Sequence, residues 1–183
     1  AGTLQIDPQK KYAVAKNVWL RLKGVPIFYF PYFSFPLDNA RKSGFLMPSI
    51  SDSSQSGFEF GVPYYWNIAP NYDATITPTY FASRGLQVST LFRFLTSRSK
   101  GQLQLNMIPR DSRFADFKAA ILNRGIVGKD AYLQQLRKDS PRRGYLGFQD
   151  QTQFSSKLKM IVNLNYVTDP YYLRDYSLSA ANS

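Results

Sequence analysis

The chain has 183 residues, enough for one domain with a substantial core, and its 23 Lys and Arg against 12 Asp and Glu give a formal net charge of +11. That charge fits either an ordinary basic surface or partners that carry phosphate groups. The absence of Cys and His excludes thiol chemistry, disulfides and the usual zinc sites within these residues, and no apolar run reaches the about 18 residues of a membrane-spanning helix.

Residues 1–40 predict short antiparallel strands. Apolar residues alternate over Thr3–Ile6 and over Ala13–Leu22, on either side of a polar turn, with an irregularity near Asn17. These two segments therefore predict a pair of strands.

The next segment, Gly24 to Tyr32, contains Pro26 and Pro31. Each proline removes a ladder donor, so the spacing favours an edge strand or an extended segment over a helix or a central strand. Composition alone favours a core strand here over a surface that contacts a ligand.

Residues 41–57 predict a linker. Polar and turn-forming residues become frequent after Pro36 and end in the run Ser51–Gly57. We therefore expect one unit over residues 1–40 and a second over residues 58–183.

Beyond the linker apolar and polar residues alternate with a period of two, which is typical of strands whose two faces contact different solvents. The first two segments, residues 58–68 and 74–80, meet at a turn at Pro70-Asn71. Four further segments follow over residues 86–94, 102–107, 145–151 and 158–166. Their lengths, about seven to eleven residues, suit tilted strands that cross a bilayer, which need about 9–11.

The two faces of these segments differ in a way that favours a membrane β-barrel. The apolar faces are rich in Tyr and Phe and carry aromatic residues near the strand ends, as interfacial girdles do: Tyr64, Trp66, Tyr80, Phe94 and Tyr166. The opposite faces hold rows of Gln, Asn, Thr, Lys and Arg. A soluble β-sandwich also alternates, but its core would favour Val, Ile and Leu, so it is the less favoured alternative.

Residues 109–143 interrupt the alternation with nine basic and four acidic residues. A solvated loop is the default interpretation of such a segment, with a short helix over Asp130–Lys138. A basic patch that touches phosphate groups is the alternative.

No known catalytic pattern is present. The sequence lacks G-x-S-x-G, a P-loop and G-x-G-x-x-G, and it offers no histidine for a triad. Its basic residues are scattered without an aromatic RNA-binding signature. We expect no enzyme, no cofactor, no metal site and no nucleic-acid partner, and a function that comes from a surface, a channel or a seam.

Five segments closely resemble the LptD family of outer-membrane lipopolysaccharide-assembly proteins, and their order is the family's over nearly the whole chain. They are GVPIFYFPY at 24–32, RKSGFL at 41–46, PYYWNIAPN at 63–71, DATITP at 73–78 and YVTDPYY at 166–172. The insert at 109–143 matches poorly.

This resemblance implies an all-β chain. Residues 1–40 would be the last strands of a periplasmic β-jellyroll that receives lipopolysaccharide from an LptA-like bridge protein. Residues 58–183 would be about the first six antiparallel strands of an outer-membrane barrel, plugged in the whole protein by an LptE-like lipoprotein. Six strands cannot close such a barrel, so we expect a fragment of a longer protein that is not a stable unit in water.

The implied function is lipopolysaccharide translocation and its insertion into the outer leaflet of the outer membrane. A porin-like channel for soluble solutes is the alternative. With the jellyroll in the periplasm, the turn at Pro70-Asn71 would be extracellular and the insert at 109–143 periplasmic. The jellyroll end would offer an apolar groove to acyl chains, with Phe28, Phe30 and Phe33 as candidate contacts.

Pro63 and Pro78 are the candidate lateral gate. Matching the faces of the first hairpin pairs Tyr64 with Pro78 and sets Pro63 opposite Thr79, which brings two missing donors together. Edge protection or strand curvature would also explain prolines at these positions. In an LptD-like barrel the first strand forms a seam with the last, so the resemblance favours a weakened seam through which lipopolysaccharide leaves sideways.

Overall fold

The structure is a computed structural model that describes residues 3–7, 12–22, 24–36, 41–54, 56–124 and 130–180. Most of them lie in antiparallel strands of two sheets, which confirms the predicted all-β class. Within the described residues, no helix has both the length and the apolar character to cross a membrane.

The first sheet has three strands in chain order, β1 (Thr3–Asp7), β2 (Tyr12–Leu22) and β3 (Val25–Pro36). Asn17 adopts a positive φ of 56°, at the irregularity that the sequence predicted. Among the described residues β3 pairs only with β2. An edge position suits its prolines, because a strand paired on one side leaves the other side's donors unused.

The second sheet contains the strands β4 (Gly44–Phe45), β5 (Ser49–Ser53), β6 (Gly57–Gly61), β7 (Tyr64–Ala69), β8 (Tyr72–Phe81), β9 (Gly85–Leu95), β10 (Ser99–Ile108), β11 (Arg143–Gln153) and β12 (Lys159–Val167). From β8 to β12 each strand pairs antiparallel with the next one in the chain. On its other side β8 pairs with both β6 and β7. The result is an open sheet, as predicted for an incomplete barrel.

The two faces of the second sheet carry different side chains. One face leaves large apolar residues exposed, among them Trp66, Tyr80, Leu86, Leu103, Leu105, Met107, Leu146, Met160, Leu164 and Tyr166. The other face is polar: Gln102 pairs in register with Arg93 and with Gln149, and its Nε2 donates to Gln149 Oε1 at 3.1 Å. An exposed apolar face opposite a polar one is typical of a barrel that lipid surrounds.

Three helices flank the strands: α1 (Ser112–Arg124) and α2 (Asp130–Lys138) between β10 and β11, and α3 (Tyr172–Ala180) after β12. The helix predicted over 130–138 is confirmed. The solvated loop predicted for the rest of the insert is wrong, because Phe114 of α1 is buried and its ring lies 6.1 Å from that of Tyr171. No helix was predicted over α3.

The apolar core of the second sheet lies at one end of its strands. Ile108 at the end of β10 packs with Tyr172 and Tyr176 of α3, and Tyr145 and Val167 pack against them. We call this the helical end: the end of β8, β10 and β12, the start of β9 and β11, and the helices α1 and α3 beside them. The hairpin end is the opposite one, with the turn at residues 70–71.

Candidate functional site

The first long strand of the second sheet is broken at Val62-Pro63, between β6 and β7, whereas its partner β8 is continuous. Both halves pair with β8 in one register. Val62 N–H still donates to the Pro78 carbonyl, at 3.1 Å. The break therefore interrupts the strand without displacing it along its partner.

The register predicted for this hairpin is wrong by two residues. Tyr64 lies opposite Ile76, and not opposite Pro78. Two features account for the shift: the turn sets Ala69 opposite Tyr72, and a bulge between Asn67 and Ala69 adds one further residue on the β7 side. The faces stay as predicted because an even shift does not exchange them.

The two prolines remove donors on opposite sides of the strand formed by β6 and β7. In an antiparallel sheet the N–H and the carbonyl of one residue point to the same neighbouring strand. The N–H that a proline lacks would therefore have pointed to the strand that donates to the proline's carbonyl. The Pro63 carbonyl accepts from Leu46 N at 2.8 Å, on the side of β6 and β7 that faces away from β8; we call this side the outer edge. The Pro78 carbonyl accepts from Val62 N, between β6 and β8 and so inside the hairpin. Only Pro63 thus weakens the outer edge directly.

That outer edge is occupied by the preceding part of the chain. In β4, Gly44 and Phe45 pair with Tyr65 and Tyr64 of β7. The whole of β5 pairs with β6, from Ser49–Gly61 to Ser53–Gly57. We call residues 44–53 the cover segment. They lie within the predicted linker, and the domain boundary placed there stays a prediction.

Asp73 anchors the residues just before the cover segment. Its side chain is 1% exposed, and its carboxylate accepts from Arg93 Nε at 2.7 Å and also pairs with Arg41. Arg41 in turn donates from Nη1 to the Pro70 carbonyl at 2.9 Å and from Nε to the Tyr65 hydroxyl at 3.0 Å. Arg41 thereby links the start of the cover segment to the hairpin turn.

A second, more deeply buried ionic network lies at the helical end, around Asp111. The Asp111 Oδ2 atom accepts from Arg84 Nη1 at 2.9 Å, from Arg143 Nη1 at 2.8 Å and from the Tyr176 hydroxyl at 2.7 Å. Its Oδ1 accepts from the Phe114 N–H at 3.0 Å and so caps the start of α1. One fully buried carboxylate therefore joins a turn, a strand and two helices.

Arg143, the first residue of β11, is the cationic centre of this network. Its side chain is fully buried, and its guanidinium donates to both carboxylate oxygens of Asp169 at 2.9 Å each. Its Nη1 also donates to Asp175 of α3 at 2.8 Å, and its Cζ lies 4.6 Å from the centre of the Phe114 ring. A buried charge needs such paired partners.

Two pKa values outside the strands reflect this environment. Burial alone would raise the pKa of Asp111, but hydrogen bonds from Tyr176, the Phe114 N–H and Arg143 outweigh it and lower that pKa below 3.8. Burial, followed by the hydrogen bond to Asp111, raises the pKa of Tyr176. Asp111 is thus held charged and Tyr176 neutral.

Sequence reasoning missed this network because it treated the basic residues near the insert as solvated. A signal was present: Arg84, Asp111, Arg143 and Asp169 each stand within a few residues of a strand terminus at the helical end. Antiparallel alternation places all these termini at one edge of the sheet, so opposite charges there are candidates for pairing.

The three candidate lipid contacts predicted from the sequence belong to the first sheet. Phe28, Phe30 and Phe33 lie in β3, where each has a partner in β2. Their side chains lie outside the described part of the structure, so the lipid-contacting role stays a prediction.

Comparisons with known proteins agree on one family. A family model described as "LptD protein" matches residues 13–120, and another, "LPS transport system D", matches residues 141–183. "LPS-assembly protein LptD" of Coxiella burnetii is 42% identical over 182 residues, which cover 96% of this chain and 21% of that protein. The same-named protein of Legionella pneumophila strain Paris is 41% identical over 182 residues, 100% of this chain and 21% of its own length. The same-named protein of Pseudomonas aeruginosa strain LESB58 is 37% identical over 174 residues, which cover 95% of this chain and 17% of that protein. The chain therefore spans about a fifth of the length of these relatives.

Proposed function

This chain belongs to the LptD family, and we propose from that premise that it is part of a protein that translocates lipopolysaccharide and inserts it into the outer leaflet of the outer membrane. Relatives that share its whole length are named LPS-assembly proteins. The apolar outer face and polar inner face of the second sheet suit a barrel wall between lipid and a hydrated lumen.

Lateral exit at the outer edge of β6 and β7 is the mechanism that the geometry supports best. The observation that carries it is the broken strand: its continuity is interrupted at Val62-Pro63, and Pro63 cannot donate across the outer edge. A missing backbone bond lowers the free energy needed to separate two strands, by about 0.5–1.5 kcal/mol. Lipopolysaccharide would leave where this edge opens.

The cover segment must then move for the edge to open. It holds the outer edge through short strands, one of them only two residues long, and leaves Leu46 and Met47 largely exposed. A strand of two residues has few bonds to break. Displacement of residues 44–53 is therefore the first step of gate opening in this proposal.

The partners follow from the same proposal. Lipopolysaccharide is the substrate, an LptE-like lipoprotein would lie against the polar face inside the completed barrel, and an LptA-like bridge protein would join the N-terminal sheet. The location is the outer membrane, with residues 1–40 in the periplasm. No chemical step is required, so the protein acts as a translocon and not as an enzyme.

The prolines test the gate in the full-length protein. Pro63→Ala supplies an N–H that faces Leu46, and Pro78→Ala supplies one that faces Val62. The bond at Pro63 shifts the closed-to-open ratio of the outer edge by about two- to tenfold, whereas the bond at Pro78 stabilises the hairpin itself. We expect slower appearance of lipopolysaccharide at the cell surface and lower antibiotic resistance in the double variant, with the larger share from Pro63→Ala.

Pro109→Ala, which lies just after β10 outside both sheets, is the matched control. Normal surface lipopolysaccharide and resistance in the double variant, at normal protein levels, would rule out a gate set by these prolines.

A reversible lock tests the cover segment. Phe45 and Tyr64 are direct partners in register, with ring centres 5.2 Å apart, so cysteines at both positions can form a disulfide between β4 and β7. We expect oxidation of Phe45→Cys/Tyr64→Cys to stop lipopolysaccharide delivery and reduction to restore it. Delivery that continues with the disulfide fully formed would show that residues 44–53 need not move.

A further inference from the structure

A cavity of about 240 Å³ opens at the helical end, among the β8–β9 turn, α1 and α3. Its lining consists of Arg84, Arg113, Phe114, Phe117, Arg174 and Asp175. Arg84, Phe114 and Asp175 belong to the buried network, whereas Arg113, Phe117 and Arg174 extend the cavity beyond it.

The lining is cationic. It contains three arginines and one carboxylate, and that carboxylate already accepts from the buried Arg143 at 2.8 Å. Arg113 and Arg174 are exposed and add charge at the mouth; the Arg174 side chain is 68% exposed. An anion is therefore the charge type that the cavity attracts.

Arg84 contributes a buried cation to the lining. Its side chain is 4% exposed and its Nη1 donates to Asp111 at 2.9 Å, but its Nε–H is buried without an acceptor among the described residues. A buried donor on a cation is unfavourable when it is unpaired. Asp111 therefore does not use all the donors of the Arg84 guanidinium, and Arg84 is part of the cavity lining.

We propose that this cavity binds a phosphate group, held by Arg84, Arg113 and Arg174. Three guanidinium groups offer more donors than the two oxygens of a carboxylate accept, whereas a phosphate monoester presents three terminal oxygens and nearly two negative charges. Arginine is also the residue that best matches phosphate geometry.

The size and walls of the cavity define what the phosphate is attached to. At about 240 Å³ it is smaller than the roughly 300–1,000 Å³ that hold whole small molecules, so it admits a headgroup and not an entire lipid. Phe114 and Phe117 form an apolar wall beside the arginines. We assign the bound phosphate to the headgroup of lipopolysaccharide, and this assignment of the carrier molecule rests on the proposed function. The phosphate site itself does not depend on it.

Binding to the full-length protein in detergent tests the site with two probes, inorganic phosphate and lipid A, the latter compared with enzymatically dephosphorylated lipid A. The variant Arg113→Gln/Arg174→Gln removes two exposed lining charges and leaves Asp111, Arg143 and Asp169 in place. It also removes a 3.4 Å contact of Arg174 with Asp175 Oδ1 and a 3.1 Å bond from Arg113 to the Ser54 carbonyl.

The matched control, Arg124→Gln/Arg142→Gln, removes two exposed arginines of the insert at 109–143 that do not line the cavity. We expect the lining variant to bind phosphate about tenfold or more weakly, because it loses charge-assisted hydrogen bonds, and the control to bind normally.

Binding of the lining variant within about twofold of wild type, or an equal loss in the control, would overturn the phosphate site. Weakened binding of inorganic phosphate with no preference for phosphorylated lipid A would keep the site and identify free phosphate as its ligand. Normal lipopolysaccharide delivery in a variant that has lost phosphate binding would remove the carrier assignment and leave the proposed function intact.

Discussion

The outer edge of β6 and β7 and the helical end are held by different kinds of interaction. The outer edge depends on backbone bonds to short strands, one of which faces a proline, and on the ion pair of Asp73 with Arg41, whose side chain is about half exposed. The helical end is held by Asp111 and Arg143, both fully buried and each with at least three charged or hydroxyl partners.

The difference predicts where the molecule opens. An ion pair with one half-exposed partner is partly screened by water and contributes less than a fully buried network, in which removal of one partner costs about 3–5 kcal/mol. Local opening therefore starts at the outer edge, while the helical end keeps the strand termini together. A gate needs both properties, a part that separates and a part that stays fixed.

The largest effect is expected from Asp111→Ala. The change leaves the buried Arg143 and Arg84 without a shared acceptor and removes the cap of α1, so we expect a loss of about 3–5 kcal/mol at the helical end. Hydrogen–deuterium exchange of the full-length protein in detergent will then show faster exchange over α1 and α3. Asp116→Ala, an exposed position on α1, is the control, and similar exchange in the two variants would remove the contrast between the two regions.

A smaller effect is expected from Asp73→Ala. The change removes the carboxylate that pairs with Arg41 and Arg93, whereas the Arg41 bonds to the Pro70 carbonyl and the Tyr65 hydroxyl remain. Both arginines are half exposed and gain water, so we expect a loss of about 1.5–3 kcal/mol that is confined to the hairpin end.

Hydrogen exchange of the Leu46 N–H, which donates to the Pro63 carbonyl, will report release of residues 44–47. Asp52→Ala in β5 is the control, and Leu46 exchange that stays at the wild-type rate would show that Asp73 does not anchor this segment.

A still smaller effect, of opposite sign, is expected from Pro78→Ala. Its new N–H faces the Val62 carbonyl inside the hairpin and adds about 0.5–1.5 kcal/mol. Slower hydrogen exchange over β6 to β8, with no change over α1 and α3, is the expected result. Faster exchange would show that the proline serves strand curvature.

The smallest effect is expected from a change of pH from 7 to 5. The pKa of Asp111 is lowered below 3.8, so its contribution to stability is present above that value and is lost only as the pH falls below it. Exchange over α1 and α3, corrected for the intrinsic rate, will therefore be unchanged at pH 5. Release of α1 at pH 5 would mean that a different titrating group controls the helical end.

The long strands were predictable because each face of a barrel wall contacts one solvent, so apolar and polar residues alternate along the strand. The segment Leu158–Tyr166 is an example. Other features depend on contacts that no local pattern contains. Helix α1 is stabilised by the cap from Asp111 and by burial of Phe114, and β4 is too short to alternate. The hairpin register depends on a bulge beside the turn, and a bulge leaves only a weak signature in a sequence.

The ion pair between Asp111 and Arg143 also has a consequence for the order of folding. The turns between β8 and β9, β9 and β10, and β11 and β12 are short, so these hairpins form between residues close in sequence, whereas β10 and β11 meet only across residues 109–142. Closing that long loop costs more entropy and makes it the slow pairing of the sheet. Asp111 and Arg143 stand at the two bases of the loop, where the Asp111 N–H also donates to the Pro141 carbonyl at 2.8 Å. Their pair therefore forms when the loop closes, and its burial marks the completed pairing of β10 with β11.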